Sequence, residues 1–200
     1  MSDHLRYSGR PFEEQRAALV AMVRAEPVLM EVLAGITDLP EGLLVAGALY
    51  NMVWNRLTGR PALADVADID VFYFDPSDLS YEAEDVVIRR LEGRFAHLPL
   101  PVQVRTQARV HLWFEGKFGG SFTPLSSAAE MLGRYASKTH AVGARLAGAE
   151  IELVAPFGLD DVFSFRVVPN HVLDNRATHE KKAARLKAVW PEVTVVPWQE

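Results

Sequence analysis

DIDVFYFD, residues 68–75, sets two carboxylates two positions apart at the head of an apolar, aromatic run. Aromatic and β-branched residues suit a pleated, half-buried surface, so the run predicts a strand. On a strand, residues i and i+2 share a face, and Asp68 and Asp70 therefore project together. Two anions held that close repel, and one resists ionisation unless a cation compensates. A divalent metal resolves the conflict. Magnesium takes oxygen ligands, commonly one or two carboxylates with waters and substrate phosphates, and nucleoside triphosphates are handled in that way. Asp-x-Asp also arises by chance, and either residue alone could cap a helix or pair with an arginine.

Position separates these readings. The residues before the pair, LADVA (63–67), are weakly apolar, and the strong apolar run follows. Haloacid-dehalogenase-type phosphatases and metal-dependent glycosyltransferases place the long apolar strand before their Asp-x-Asp, so this order fits them poorly. Upstream, GLLVAG (42–47) reads as a short buried strand ending at Gly47, and ALYNMVWNRLTG (48–59) reads as a helix with Gly59 near its end. A strand that turns through glycine into a helix exposes free backbone N–H groups at the helix start. Those groups and the helix dipole attract phosphate. Asn51 and Asn55 lie one turn apart on this helix. One face could reach a nucleotide; exposed asparagines are the alternative.

The remaining chain supplies more helices and strands. PFEEQRAALVAMVRAEPVLMEVLAGI (11–36) has helical apolar spacing, and Pro27 divides it into two helices. SYEAEDVVIRRLEGRFAHL (80–98) reads as a helix capped by Ser80 with early acids. LPVQVRT (100–106) reads as a third strand. ARVHLWFEGKFG (108–119) is ambiguous between strand and helix, and SSAAEMLGRYASK (126–138) reads as a serine-capped helix. A hairpin is expected around Gly148, and NRATHEKKAARLKAVW (175–190) reads as a basic helix. The middle runs strand, helix, strand, helix, strand. That predicts an α/β (α+β) fold: a mixed sheet flanked by helices, in one domain with a core at about residues 40–170 and helical additions at both ends.

Composition narrows the function classes. The chain has 200 residues, a formal net charge of −5 and no cysteine. Disulfides and thiolate zinc sites are excluded. The negative charge argues against a broad nucleic-acid surface while leaving room for a local basic groove. On that ground Lys181, Lys182, Arg185 and Lys187 read as a solvated helix face, with contact to an acceptor nucleic acid as the alternative. The start, MSDHLRYSGRPFEEQ, lacks an apolar signal core, and no apolar run is long enough to span a membrane, so a cytoplasmic protein is expected. No Gly-x-Ser-x-Gly, Ser-His-Asp or Walker pattern occurs. The histidines show no metal-ligand spacing. Asp75 and Asp78 fit a turn, DPSD; Asp65 reads as solvated, with metal ligation as the alternative. Arg105, Arg109 and His111 could line a phosphate-binding cleft, or be paired and half-buried.

The order LLVAGALYNMVWNRL (43–57), then ADIDVFYFD (67–75), resembles the nucleotidyltransferase superfamily typified by DNA polymerase beta. It is similar in particular to a small bacterial nucleotidyltransferase-like family, formerly a domain of unknown function. That family also shares a Gln-Ala-Arg-x-His segment, here Gln107–His111, and an Ala-Pro-Phe/Tyr-Gly-Leu-Asp-Asp segment, here Ala155–Asp161. The resemblance runs over residues 15–198. It implies a nucleotidyltransferase-like fold, with Gly47 in the phosphate turn and Asp68 and Asp70 as catalytic carboxylates holding one or two Mg²⁺ ions. It implies a nucleoside triphosphate substrate at the turn of Gly47 and an unspecified acceptor: small molecule, RNA or protein. Ala48, Asn51, Arg105 and Arg109 are the further residues expected to contact the nucleotide. Two positions depart from the superfamily pattern. Ala48 stands where serine usually follows the turn glycine. The later strand carries Gln103 and Arg105 where a third carboxylate usually helps activate the attacking hydroxyl. Asp160 and Asp161 either cap a helix or supply that carboxylate. A catalytically inactive member that binds nucleotide or a protein partner is the alternative function.

Overall fold

The computed structural model of the protein describes residues 3–199. Two helices, α1 (Phe12–Arg24) and α2 (Pro27–Gly35), open the chain. Pro27 stands in the first turn of α2, where its missing N–H costs nothing, and so it starts the second helix as the sequence predicts. Then follow β1 (Leu43–Val45), α3 (Gly47–Leu57), β2 (Ile69–Tyr73), α4 (Tyr81–Phe95) and β3 (Val102–Thr106). The expected alternation of strand and helix is present. Ser80 caps α4 by accepting from the Ala83 N–H at 3.2 Å.

Beyond β3 lie α5 (Val110–Phe118), the hairpin β4 (Gly143–Ala147) and β5 (Glu150–Val154), the short α6 (Asp160–Phe163), β6 (Arg166–Val167), α7 (Arg176–Val189) and β7 (Thr194–Val195). The ambiguous segment 108–119 is helical because Val110 and Phe114, four apart, bury together against Phe122 and Leu125. The expected helix over 126–138 shrinks to one 3₁₀ stretch, Ala129–Arg134. The Ser126 N–H and hydroxyl both bond to Glu130, and the Ala128 N–H donates to Glu41, so these groups serve a turn rather than a helix ladder.

The main sheet has the order β3-β2-β1-β4-β5. β2 and β3 are parallel, linked through α4, and every other pairing is antiparallel. One register decides where function can sit. Val45, the last residue of β1, lies opposite Asp70, the second residue of β2. The end of β1, the turn into α3 and the carboxylate pair are thereby neighbours.

The principal apolar cluster joins the sheet to all the long helices: Leu19 and Leu29 from α1 and α2, Val71 and Val104 from the sheet, Leu91 from α4, and Leu186 from α7. Trp54 lies at its centre. Its ring stacks on Phe165 and meets Trp190 edge-on, and its indole N–H donates to the Val162 carbonyl at 2.7 Å. Asn55, fully buried beside it, is a polar hub. Its amide nitrogen donates to the carbonyls of Ala62 and Ala64, and its oxygen accepts from the Trp190 indole. That network fixes the loop entering β2 and the end of α7 to α3.

Truncating Asn55 leaves two carbonyls and an indole N–H unpaired in the interior, each costing about 1–3 kcal/mol. Asn55→Ala is expected to lower stability in urea denaturation by about 3 kcal/mol or more. Asn51→Ala, one turn earlier, is expected to cost less than about 1 kcal/mol, because the Asn51 carbonyl oxygen has no protein partner to lose.

Candidate functional site

The site begins at the turn between β1 and α3. Ala46 takes φ 56 and ψ −115, a region that favours glycine, and it does so without a glycine. Gly47, the expected turn glycine, is the first residue of α3. A Cβ built on it would meet only the Asn51 side-chain nitrogen, at 3.7 Å. Neither backbone strain nor packing thus calls for glycine at 47; its missing side chain leaves space in the cleft it lines. The first intrahelical bond is made by the Leu49 N–H, to the Ala46 carbonyl, and no side chain caps the helix. The N–H of Gly47 is the open donor at the positive end of α3 that the cleft reaches. Ala48, expected to contact the nucleotide, is fully buried in the core and does not line the cleft.

Asp68 and Asp70 line the same cleft as Gly47. Asp68 lies just ahead of β2, and its carboxylate accepts from the Gln103 side-chain nitrogen at 2.7 Å. Gln103 pairs with Asp70 across the parallel strands, so all three groups share one face of the sheet. Burial, and next the charge of Asp68, push the Asp70 carboxyl up to about 6, while Lys182 and Arg105 pull the other way. The unrelieved repulsion is what an oxygen-loving cation would remove, so the donor set fits a magnesium ion. Among the described residues no group of three or more His, Cys, Asp and Glu could hold a metal; the protein offers two carboxylates.

The opposite wall is α7. Lys181, Lys182 and Arg185 line the cleft, and all three keep the exposed character expected of a basic helix face. Loss of hydration lowers the Lys182 ammonium's pKa, with Asp70 opposing that shift. Arg185 bonds to the Tyr50 hydroxyl, and burial raises that phenol's pKa. His140 stacks on Tyr50 with ring centroids 4.8 Å apart. Burial holds its imidazole well below its ordinary pKa, so the ring is neutral at pH 7. Two buried atoms of this lining, Asn51 Oδ1 and His140 Nε2, have no protein partner. The cleft has a volume of about 720 Å³, within the range of small-molecule sites.

The other expected residues scatter. Arg105 lies near Asp70 on the sheet face, its guanidinium donating to the Val104 carbonyl. Arg109 does not share the cleft: it pairs with the buried Glu84 and donates to the Leu79 carbonyl. Glu84 also accepts the Thr106 N–H, so this pair joins α4 to the end of β3. Asp160 accepts from the Gly9 N–H and Gln15 and ties down the N-terminal segment, while Asp161 pairs with Arg166. Neither lines the cleft, and Leu159, not an aspartate, occupies the cap of α6. His111 also lies outside the cleft lining, whereas Asp75 and Asp78 make the expected turns onto Ser77 and Ser80. Lys181, Lys182 and Arg185 carried an acceptor contact as their alternative reading, whereas Tyr50 and His140 were not expected at the cleft and no motif marks them.

The Asp70 carboxyl titrates near 3.8 when unfolded and at about 6 when folded. Between those values the folded state holds the extra proton. The contribution to stability is therefore present below about pH 4 and is lost as pH rises through about 6. In urea denaturation with EDTA, Asp70→Asn is expected to be more stable than wild type at pH 7.5, by on the order of 2 kcal/mol, with the gap closing toward pH 4. Equal stability at pH 7.5 would contradict the penalty that burial, and next the charge of Asp68, place on the ionised Asp70 carboxyl.

A family model described as nucleotidyltransferase matches residues 34–195, a span from the end of α2 to β7 that holds both carboxylates and α7. No curated protein sequence matches the chain. One solved structure is described in the words "The NMR structure of the protein reveals a CCA-adding enzyme head domain". It is 25% identical and superposes with a TM-score of 0.76, and the match covers 91% of this chain and 96% of that one. The five-stranded mixed sheet flanked by helices is thus the fold of a nucleotidyltransferase head domain, and the chain belongs to the nucleotidyltransferase family.

Proposed function

We propose that the protein is a magnesium-dependent nucleotidyltransferase that moves a nucleoside monophosphate from a nucleoside triphosphate to an acceptor hydroxyl. The observation that carries this reading is the shared cleft: a carboxylate pair, an uncapped helix N-terminus and a basic helix face line one cavity. Each alone is commonplace. Together they match a ligand that is polyanionic and metal-bound.

The N–H of Gly47 would receive phosphate oxygens. Lys181, Lys182 and Arg185 would neutralise the triphosphate from the opposite wall, and Arg105 would add positive charge beside Asp70. Asp68 and Asp70 would hold Mg²⁺, which when bound would draw off phosphate charge and make the α-phosphorus more open to attack. Gln103 would keep the Asp68 carboxylate oriented. The acceptor oxygen forms its bond to the α-phosphorus in line and gives up its proton to water, the bond to the bridging oxygen breaks, and pyrophosphate leaves with that electron pair.

A second reading has its own observation. Gln103, an amide, stands beside Asp68 where a third carboxylate would be needed as base, and that favours a member that binds nucleotide without turning it over. The acceptor, whether small molecule, RNA or protein, decides between the two.

The test is a thermal titration with ATP, GTP, CTP and UTP, with and without Mg²⁺. Stabilisation is expected only with metal and nucleotide together, and it should vanish in Asp68→Asn and Asp70→Asn. No stabilisation by any nucleotide sinks the nucleotide reading. Binding without pyrophosphate release across candidate acceptors supports the inactive one.

A further inference from the structure

The cleft has a second end that the phosphate contacts do not use. Lys117, Phe118, Ala177 and Thr178 line both the main cleft and an adjoining hollow of about 460 Å³, whereas Gly47, Asp68 and Asp70 line the main cleft alone. These four residues therefore mark where the cleft passes into its neighbour.

Phe118 is the last residue of α5, and it is 53% exposed. With Trp113, 40% exposed and 6.3 Å away between ring centroids, it forms an exposed aromatic patch, and such patches rimmed by polar residues mark binding sites. The inner side of α5 is already occupied, with Val110 and Phe114 packed against Phe122 and Leu125. Phe114 also supports the Phe118 ring, with centroids 5.0 Å apart. Gly119 and Gly120, both with positive φ, turn the chain off the helix directly after it and add no side chain there. Across the gap, the first turn of α7 presents the small residues Ala177 and Thr178. The Lys117 ammonium lies 5.4 Å from the Phe118 ring centroid. Finally, the buried, unpartnered Asn51 Oδ1 in the same cleft needs a hydrogen-bond donor, and a sugar hydroxyl supplies one.

A ligand matching both ends is flat and aromatic at one and polyanionic at the other. We infer that Phe118 is the stacking platform for the nucleobase of the triphosphate bound in this cleft. The inference rests on the nucleotide reading above and extends it to base selection. A ring that meets a base face to face reads its surface and not its edge. ATP and GTP therefore bind alike, and both bind more tightly than CTP or UTP, because a purine covers more of the ring.

The experiment is calorimetric titration of the full chain with Mg-ATP and, separately, with Mg-tripolyphosphate, for wild type, Phe118→Ala and Phe118→Trp. Phe118→Ala is expected to raise the Kd for Mg-ATP by about tenfold or more, and to leave Mg-tripolyphosphate within about twofold. Phe118→Trp is expected to keep the wild-type affinity for Mg-ATP. Unchanged Mg-ATP binding in Phe118→Ala overturns the platform and leaves the nucleotide reading standing. An equal loss for both ligands also overturns it, because the end of α5 then shapes the phosphate end alone. If wild type binds neither ligand, the nucleotide reading fails and takes the platform with it.

Discussion

The antiparallel pairing of β1 with β2 sets Val45 beside Asp70, and the geometry of the site follows from that register. β1 ends where α3 begins, so the open N–H of Gly47 comes to lie next to the start of β2. A carboxylate pair at the far end of β2 would be carried away from the turn along the strand, at about 3.3 Å per residue. A shift of one residue would swap the faces of the strand and send Asp70 into the core. The alternation of β2, with Ile69, Val71 and Tyr73 buried, guards against that slip.

Charge then decides what the cleft can hold. Asp70 sits partly buried against Asp68, and the protein only partly offsets the repulsion with Lys182 and Arg105. Lys182, on the exposed face of α7, has its pKa lowered by partial loss of hydration, with Arg185 nearby adding to the shift and Asp70 opposing it. Carboxylates and cations thus confront each other across the cavity. A metal-bound phosphate chain suits both, since the metal meets the carboxylates and the phosphate oxygens meet the cations and the Gly47 N–H. The unpartnered atoms of Asn51 and His140 belong to the same cavity and mark it as built for an occupant.

Much of this could be read from the chain because the signals were local. The order of Asp68 and Asp70 before their apolar run carried the strand polarity, and the strand–helix alternation carried the layered α/β core. Ser80, Pro27 and Gly148 marked boundaries through their own backbone chemistry. The less legible features depend on tertiary placement. Arg109 looked like a phosphate ligand until Glu84, twenty-five residues away, claimed it. The place of α7 beside the cleft was not legible, because net charge averages over a surface, whereas the sign at one cleft depends on which helix folds over it. His140 carries no motif, and its role comes from stacking on Tyr50. Gly47 was the expected turn glycine, yet the positive φ fell on Ala46.

The central claim is that metal and phosphate meet between the start of α3 and the head of β2. Paramagnetic broadening measures this directly: add Mn²⁺ with ATP to the ¹⁵N-labelled protein and record the amide spectrum. The account predicts that the Gly47, Ala48, Asp68 and Asp70 amides broaden first, and that the effect is lost in Asp70→Asn. Broadening centred elsewhere on the molecule, or unchanged in that variant, would contradict it.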